Sequence, residues 1–244
     1  MPSIATNTLL RTTLVSQHFC RNAPLTGVGG DPTEPAMSIG DWVRNFILQP
    51  PFAWRWNRAT TTIAVTQAAG QDYSVALSNF GWLESATIND GRGAPDSIQQ
   101  MEVQLNLSED LSGSGPRFIA ARLDDDSGNI TFRLHPSPEA NYTVIVTYQK
   151  ASPTFAALAD TWAPIPDYMS NIYSLGFLAK AYEYFDDPRF GFTFQMFLRQ
   201  LVSASEGLDE SKKNIFMSMF LDGAAQQQVT GMRSQMGNQS RGGF

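Results

Sequence analysis

The spacing of the apolar residues changes twice along this chain of 244 residues, and this change constrains the fold more than any other feature. Up to residue 51 the apolar residues recur at helical spacing, from residue 52 to 150 they alternate, and after Pro153 helical spacing returns. Short alternating segments separated by turn residues, without helices between them, predict antiparallel hairpins in a sandwich or small barrel. The sequence therefore predicts an α+β protein.

Four parts follow from these changes. Residues 1–51 are predicted to form N-terminal helices, residues 52–150 an inserted antiparallel β-domain, and residues 151–222 C-terminal helices. Because the helices on both sides of the β-domain need a partner for their apolar faces, we expect them to form one helical bundle. Residues 223–244 are rich in Gln, Gly and Ser and poor in core-forming residues, so they are predicted to be an extended polar C-terminal arm.

The helical parts carry start and stop signals. Residues 3–19 predict a first helix, with Leu10 and Leu14 on its apolar face. Ser38, followed by Asp41 in the capping-box position, predicts the N-cap of a second helix, which has to end at Gln49 because two prolines follow. Three C-terminal helices are predicted: one that begins near Asp167 with Tyr168 on its apolar side, one over residues 190–204, and one over residues 209–221.

Seven short strands are predicted in the β-domain, since alternating segments there are separated by clusters of turn residues. They are residues 60–66, 72–77, 82–88, 98–105, 117–123, 130–134 and 142–148. Trp54 and Trp56 alternate as in a strand, so they are predicted to form the core at the entry to the β-domain. Arg55 and Arg58 would then face outward or pair with acids.

Composition narrows the classes of protein. The formal net charge is −6 and lysine occurs only four times, which is unlike a protein that grips nucleic-acid phosphates. Charged residues make up 16% of the chain, and a surface so poor in charge favours burial against partners. A single cysteine, Cys20, excludes an internal disulfide. We expect neither a signal peptide nor a membrane-spanning segment.

No residue pattern points to catalysis, a cofactor or a metal, and we expect a protein that is not an enzyme. His18 and His135 lie far apart and outside any metal-binding motif. The acidic segment 124–129 has glycine and asparagine in the wrong order for a calcium-binding loop, which favours a hairpin turn. Ser114 lies between glycines without the spacing of a nucleophile elbow.

The order of parts resembles the head-to-tail adaptor family of tailed bacteriophages, in the type of the tail tubular protein A of short-tailed phages. The resemblance rests on four short segments, which lie at the break before the β-domain and in the helices after it. They are residues 49–57, with Gln-Pro-Pro-Phe-Ala-Trp-Arg-Trp-Asn, residues 164–168, residues 180–185 and residues 187–190.

The resemblance implies a structural virion protein that forms a ring, dodecameric in the family, between the portal protein and a tail or nozzle protein. Genomic DNA would pass through the ring during ejection without specific binding, and the protein would be part of the virion neck after assembly in the host cytoplasm. The polar arm would contact the portal, and its candidate contact residues are Gly223, Val229, Met232, Arg233, Met236, Arg241 and Phe244.

Two alternatives stay open from the sequence. The β-domain would also suit another tail, baseplate or capsid-associated structural protein. A carbohydrate-binding module would use Trp54, Trp56 or Trp82 as a stacking platform, and it requires an exposed row of aromatic side chains.

Overall fold

The chain divides into two compact units. The computed structural model describes residues 7–19, 35–66, 71–89, 98–104, 115–124, 129–216 and 218. One unit comprises Met1–Ile47 with Thr154–Phe244, and the other comprises Leu48–Pro153. We call them the helical unit and the β-unit. The predicted arm, residues 223–244, lies outside the described residues and stays a prediction.

Four helices of the helical unit lie wholly within the described residues, two from the N-terminal segment and two from the C-terminal segment. They are α1 (Leu9–Phe19), α2 (Pro35–Leu48), α3 (Ser170–Tyr184) and α4 (Phe190–Ala204). The span predicted for α4 is confirmed, and a short 3₁₀ turn, Asp167–Met169, leads into α3 as the proline-rich entry indicated. Residues 210–216 are also helical, within the predicted span 209–221, whose end lies outside the described residues.

The predicted N-cap of α2 is wrong. The helix begins at Pro35, so Ser38 lies inside its first turn and no capping box forms there. Proline suits the first turn of a helix, because its fixed φ is helical and its missing N–H has no partner to lose. Asp41 instead accepts hydrogen bonds from the Arg44 guanidinium and from the Phe155 backbone N–H.

Helix α3 packs closely against its neighbours in the helical unit. Its low amphipathicity fits this position, because buried residues occur on most of its sides. Gly176 lets α4 approach, since a Cβ atom there would lie only 2.7 Å from Phe197 Cε2. Tyr173 is fully buried, stacks on Trp162 at 4.4 Å between ring centroids and donates to the Gly40 carbonyl at 3.1 Å.

All seven predicted strands are confirmed, with ends shifted by a few residues, and they form one sheet in the order β1-β7-β3-β4-β5-β6-β2. They are β1 (Arg58–Val65), β2 (Asp72–Ala76), β3 (Phe80–Asn89), β4 (Ile98–Val103), β5 (Phe118–Asp124), β6 (Asn129–His135) and β7 (Tyr142–Lys150).

The expectation of purely antiparallel pairing is wrong at one seam. Strands β4 and β5 pair in parallel over Glu102↔Phe118 and Val103↔Ile119, whereas the other pairs are antiparallel. The chain between Val103 and Phe118 is long enough to return to the same end of the sheet, which a two-residue hairpin turn cannot do. No helical or alternating pattern in that connection reveals its direction.

The sheet of the β-unit curls until its two outer strands nearly meet, which favours the barrel over the sandwich. The Tyr73 hydroxyl on β2 donates to the carbonyl of Thr66, the residue after β1, at 2.9 Å. Inward side chains from all seven strands share one apolar core, in which Ile119, Phe132, Val144 and Val146 are fully buried. Outward and inward residues alternate along β7, as the sequence pattern indicated.

Candidate interaction surface

Most of the exposed large apolar side chains lie on the helical unit. Those of the β-unit are Ile98 and Val103, at the two ends of β4, and Ile145 on β7. Those of the helical unit occur on its helices and the turns that join them. They are Leu10, Leu14, Phe19, Tyr168, Tyr184, Phe192, Met196 and Ile215. Clustered exposed apolar residues mark surfaces that contact partners, whereas scattered ones are ordinary.

Helix α1 buries polar side chains and exposes two of its three leucines, whereas Leu9 at its start is fully buried. Leu10 is 40% exposed and Leu14 is 50% exposed, and we call these two residues the α1 outer face. Phe19, the last residue of the helix, is 52% exposed on another side of it. The polar residues Thr12, Thr13 and Ser16 are buried instead. Leu10 and Leu14 lie on the predicted apolar face of the first helix, and the expectation that this face is the buried one is wrong.

The buried threonines explain how this arrangement is tolerated. The Thr13 hydroxyl donates to the Leu9 carbonyl of its own helix at 2.9 Å, and the Thr12 hydroxyl reaches the Thr8 carbonyl at 3.4 Å. A threonine bonded in this way carries its polar group with it and presents a methyl group to the neighbouring helix. Helix α1 can therefore bury Thr12 and Thr13 as well as Leu9 and leave Leu10 and Leu14 outside.

Hydrogen bonds at both ends hold α1 in this orientation. At its start, Leu9 N–H donates to the Asp160 carbonyl at 3.0 Å and Asn7 Nδ2 donates to Asp167 Oδ1 at 3.0 Å. At its end, the Phe19 carbonyl accepts a hydrogen bond from Arg189 Nη2 at 3.2 Å. The outward position of the leucines is thus fixed by contacts with the segments before α3 and α4.

Helix α4 also carries apolar residues on both sides. Its inner side packs Phe194 and Phe197 against the Phe46 ring of α2, at 6.2 and 5.6 Å between centroids. Its outer side repeats at i, i+4, i+7 and i+11, and we call it the α4 outer stripe. The stripe consists of Phe192, which is 65% exposed, Met196, Arg199 and Ser203.

The corner between α3 and α4 combines exposed aromatic and charged groups. Lys180 lies 4.7 Å from the Trp42 ring centroid, pairs with Glu183, and lines with Tyr184 a cavity of about 460 Å³. Asp187 accepts hydrogen bonds from the Arg189 side chain and backbone, and this pairing lowers the pKa of its carboxyl group to about 2. A charged pair of this kind fixes the entry into α4.

A buried ion pair holds the segment that follows the β-unit. Arg44 is 3% exposed, its Nη2 lies 2.8 Å from Asp41 Oδ1, and its guanidinium stacks on the Phe155 ring at 3.7 Å. Burial lowers the pKa of Arg44, and the charge of Asp41 opposes this shift. Asp41 also accepts the Phe155 N–H at 3.0 Å, so one carboxylate joins α2 to residue 155.

The structure describes the predicted entry residues of the β-unit but none of the predicted arm contacts. Trp54 is 2% exposed and stacks on the half-buried Trp56 at 5.6 Å between ring centroids. The local structure is a 3₁₀ turn, Arg55–Asn57, rather than the predicted strand. Arg58 pairs with Glu84, through a 2.8 Å hydrogen bond from Nε.

The tryptophans pack inside their units. All five lie among the described residues, Trp54 and Trp162 are buried, and Trp42, Trp56 and Trp82 are half-buried. The Trp82 indole N–H donates to the Leu48 carbonyl at 2.9 Å, and the two residues belong to the β-unit. The exposed aromatic row that a sugar platform requires is therefore not formed by these side chains.

Neither a metal-binding cluster nor a membrane-spanning helix occurs among the described residues. They contain no group of three or more His, Cys, Asp and Glu side chains placed to hold a metal ion. His135 is buried at the end of β6, and the side chain of His18 lies outside the described residues. No helix within the described ranges is long and apolar enough to cross a membrane.

The sequence contains only a weak signal for the exposed apolar residues of α1 and α4, which it did not predict. Helix α4 has one charged residue, Arg199, and α1 has no carboxylate. A helix that faces water on one side normally carries more charge. Low charge on these helices was therefore the available signal, although it does not show which side chains point outward.

Two helices with apolar outer faces, in a unit that carries a separate β-unit, suit a protein that works by binding other proteins. The family model described as SU10 adaptor protein matches residues 20–226 of the chain. Because this match covers most of the sequence, the chain belongs to the SU10 adaptor protein family. A search of curated proteins finds no match. The family supports the resemblance to a phage structural adaptor, and the tail tubular protein A type stays a proposal.

Proposed function

We propose that this protein is a structural head-to-tail adaptor, which forms a ring that joins the phage portal to the tail and continues the DNA channel. The observation that carries the proposal is the match to the adaptor family over residues 20–226. The exposed apolar faces of α1 and α4 support it, because they provide surfaces for contacts between proteins. The role is structural rather than catalytic.

Different parts of the chain would contact the partner proteins at the two ends of the ring. The arm, residues 223–244, would contact the portal, since a polar segment of this kind can wrap a large surface when it binds. Repeating the arm around a ring would raise the overall affinity without strong individual contacts. The opposite end of the ring would contact a tail or nozzle protein. The ring would be dodecameric, as in the head-to-tail adaptor family that the sequence resembles.

The charge balance suits a conduit for DNA. With a net charge of −6 and four lysines, the chain offers few cations to hold phosphates. Acids and amides along the channel wall would let the genome pass, whereas a row of arginines would retard it. A ring structure with arginines along the lumen would contradict this part of the proposal.

The test is to mix the purified chain with the portal protein of the same phage and to image the mixture by electron microscopy. We expect a closed ring docked under the portal. A variant truncated after Asp222 should form the same units in solution but dock poorly and fail to support assembly of infectious particles. Absence of a ring on the portal, together with normal assembly of the truncated variant, would refute the adaptor.

A second measurement separates this function from the alternatives. Antibody labelling of whole particles should locate the chain at the neck rather than at the tail tip, the baseplate or the capsid surface. Tryptophan fluorescence should not respond to added oligosaccharides, because Trp54 is buried and Trp82 uses its indole N–H within its unit.

A further inference from the structure

We propose that a cleft between β3 and β5 of the β-unit binds an extended strand of the tail or nozzle protein. The inference rests on the proposed function and deepens it, because it assigns a site to the partner at the tail end of the ring. The cleft lies where β4, the strand between β3 and β5 in the sheet, stops pairing with its neighbours.

The cleft has an unpaired strand edge on each side. Strand β4 pairs with residues 86–89 of β3 and with residues 118–119 of β5. Since β3 is antiparallel to β4 and β5 is parallel to it, residues 80–85 of β3 and 120–124 of β5 both lie toward the C-terminal end of β4. In the described part of the chain, neither stretch has a strand partner on the side of β4. Edges of this kind are templates for pairing with another chain.

Two irregularities in β3 account for the early end of the β3–β4 pairing. The pairing of β3 with β7 shifts register at Gly81 and again at Glu84. Bulges bend a strand, increase its local twist and can end its pairing. Strand β4 accordingly pairs with the regular part of β3, residues 86–89, and not with the bulged part.

The cleft opens into an apolar cavity of about 430 Å³. Phe80, Leu83 and Ala121 line it from the two unpaired stretches, and none of the described residues that line it is charged. Val103 also lines the cavity and is 39% exposed, so the cavity can be reached from outside. An apolar cavity of about 150 Å³ accommodates benzene, so this one has room for more than one apolar side chain.

The chemistry of the cleft identifies its occupant as an extended peptide. The occupant has to pair with backbone groups on two sides and to place apolar groups in the cavity. An extended strand meets both requirements, because its N–H and C=O groups point to both sides and its side chains alternate between the two faces. A helix does not, since its backbone groups are already paired within it.

The tail component, rather than the arm of this chain, suits the cleft. Val229 and Met232 of the arm are three positions apart, so in an extended strand they point to opposite faces. The proposed function also places the arm on the portal, at the other end of the ring. The β-unit has a core of its own, so a strand can add to its sheet without rearranging the helical unit.

Photocross-linking in phage particles tests the occupant. The photoreactive residue p-benzoylphenylalanine replaces Val103 or, in the control, Ile145, which is similarly exposed (42%) on β7 but does not line the cavity. Particles that carry the full-length chain are irradiated, and mass spectrometry identifies the cross-linked segments. We expect position 103 to attach to one segment of the tail or nozzle protein with apolar residues at alternate positions. Position 145 should not attach to that segment.

The other outcomes each have a defined meaning. A cross-link from position 103 to the arm, or to any other part of this chain, would show a different occupant and overturn the proposal. Particles with the chain at the neck but without a cross-link from position 103 to the tail would also overturn it and leave the adaptor function intact. Absence of the chain from the neck would refute the adaptor, and the tail site with it.

Hydrogen exchange shows whether the segment binds as a strand. Adding the purified tail or nozzle protein to rings on the portal should slow exchange at least tenfold at those amides of residues 80–85 and 120–124 that are not paired with β7 or β6. Val144 and Val146 lie on β7, between β1 and β3, and their exchange should not change. A cross-link without slower exchange at either edge would exclude strand addition and overturn the proposal.

A substitution that fills the cleft provides an independent readout. Val103→Trp should lower attachment of the tail or nozzle protein to the ring at least tenfold. Ring formation on the portal, far-ultraviolet circular dichroism and the thermal midpoint should stay unchanged, because Val103 is exposed. The matched substitution Ile145→Trp should attach the tail as the unmodified chain does. Normal attachment by Val103→Trp would overturn the proposal.

Discussion

At the scale of single residues, two positions of the helical unit depend on close packing, Gly176 and Arg44. Gly176 on α3 leaves room for the Phe197 ring and for Val43, whose Cγ1 would lie 2.9 Å from an added Cβ. Arg44 is buried beside Asp41 and Phe155. Both positions depend on groups distant in sequence, so substitutions there report on tertiary packing rather than on helix propensity.

Gly176→Ala should destabilise the protein by about 1 kcal/mol or more. Overpacking costs about 1–3 kcal/mol, which exceeds the gain of up to about 1 kcal/mol from removing a helical glycine. Urea denaturation measures the free energy of unfolding. Gly191→Ala in α4 is the control, because no atom lies within 4 Å of its added Cβ, and it should be neutral or stabilising. Equal effects of the two substitutions would contradict this account.

Asp41→Ala should lower the free energy of unfolding by about 3 kcal/mol, since it leaves a buried guanidinium without its carboxylate and removes the acceptor of the Phe155 N–H. Thermal and urea denaturation measure the loss. Lys212→Ala breaks an ion pair whose Lys212 side chain is 64% exposed, and it should change stability by less than about 0.5 kcal/mol. If Asp41→Ala has a similarly small effect, the Asp41–Arg44 pair contributes little to the free energy of unfolding.

Asp187 should contribute stability that depends on pH in the acid range. In the folded protein, pairing with Arg189 lowers the pKa of the Asp187 carboxyl group from the ordinary 3.8 to about 2. The stabilisation by this carboxylate is therefore complete above about pH 4 and is lost as the pH falls through 2. The stability difference between the unmodified chain and Asp187→Asn should shrink over that range in denaturation experiments. A difference that stays constant from pH 5 to pH 2 would exclude this pairing as its cause.

At the scale of secondary-structure elements, periodicity predicted which segments form helices and strands but not how their faces are used. The seven strands and α4 follow the pattern of apolar residues because that pattern reflects local geometry. Helix α1 departs from it, since Thr12 and Thr13 satisfy their hydroxyl groups within the helix and are buried. The parallel seam between β4 and β5 departs from it because pairing direction depends on the path of the connection.

The β4–β5 seam should open more readily than the rest of the sheet. It contains two paired positions and backbone bonds from Glu102 and Gln104, whereas β7 is paired along most of its length with β1 and β3. Native-state hydrogen exchange should therefore be faster at Glu102 and Gln104 than at Val144 and Val146. Equal protection at these amides would show that the short parallel seam opens only together with the whole sheet.

At the scale of the whole molecule, the chain is a helical unit with a β-unit inserted between its two sequence segments. The β-unit has one apolar core drawn from all seven strands and is contiguous in sequence. The helical unit, by contrast, needs segments from both sides of the insertion. The two units should therefore differ in whether they fold independently.

The fragment Leu48–Pro153 should fold on its own into a cooperative β-protein. Its core is formed within the fragment, so removing the helical unit does not remove core residues. Far-ultraviolet circular dichroism should show sheet, and thermal unfolding should show a single transition. As a comparison, the fragment Thr154–Phe244 lacks α1 and α2 and should not unfold cooperatively. A β-unit fragment without a transition would show that it depends on the helices.

The sequence alone determined the α+β class, the insertion of strands between helices, and the resemblance to a phage adaptor, because these depend on the order and periodicity of local patterns. The low charge also predicts that much of the surface contacts partners, and this stays a prediction. The tertiary structure decided which side of α1 is buried, how α4 presents Phe192 and Met196, and where one strand pair runs parallel. Those properties depend on which groups pack on the other side of each element, and periodicity along a chain does not contain that information.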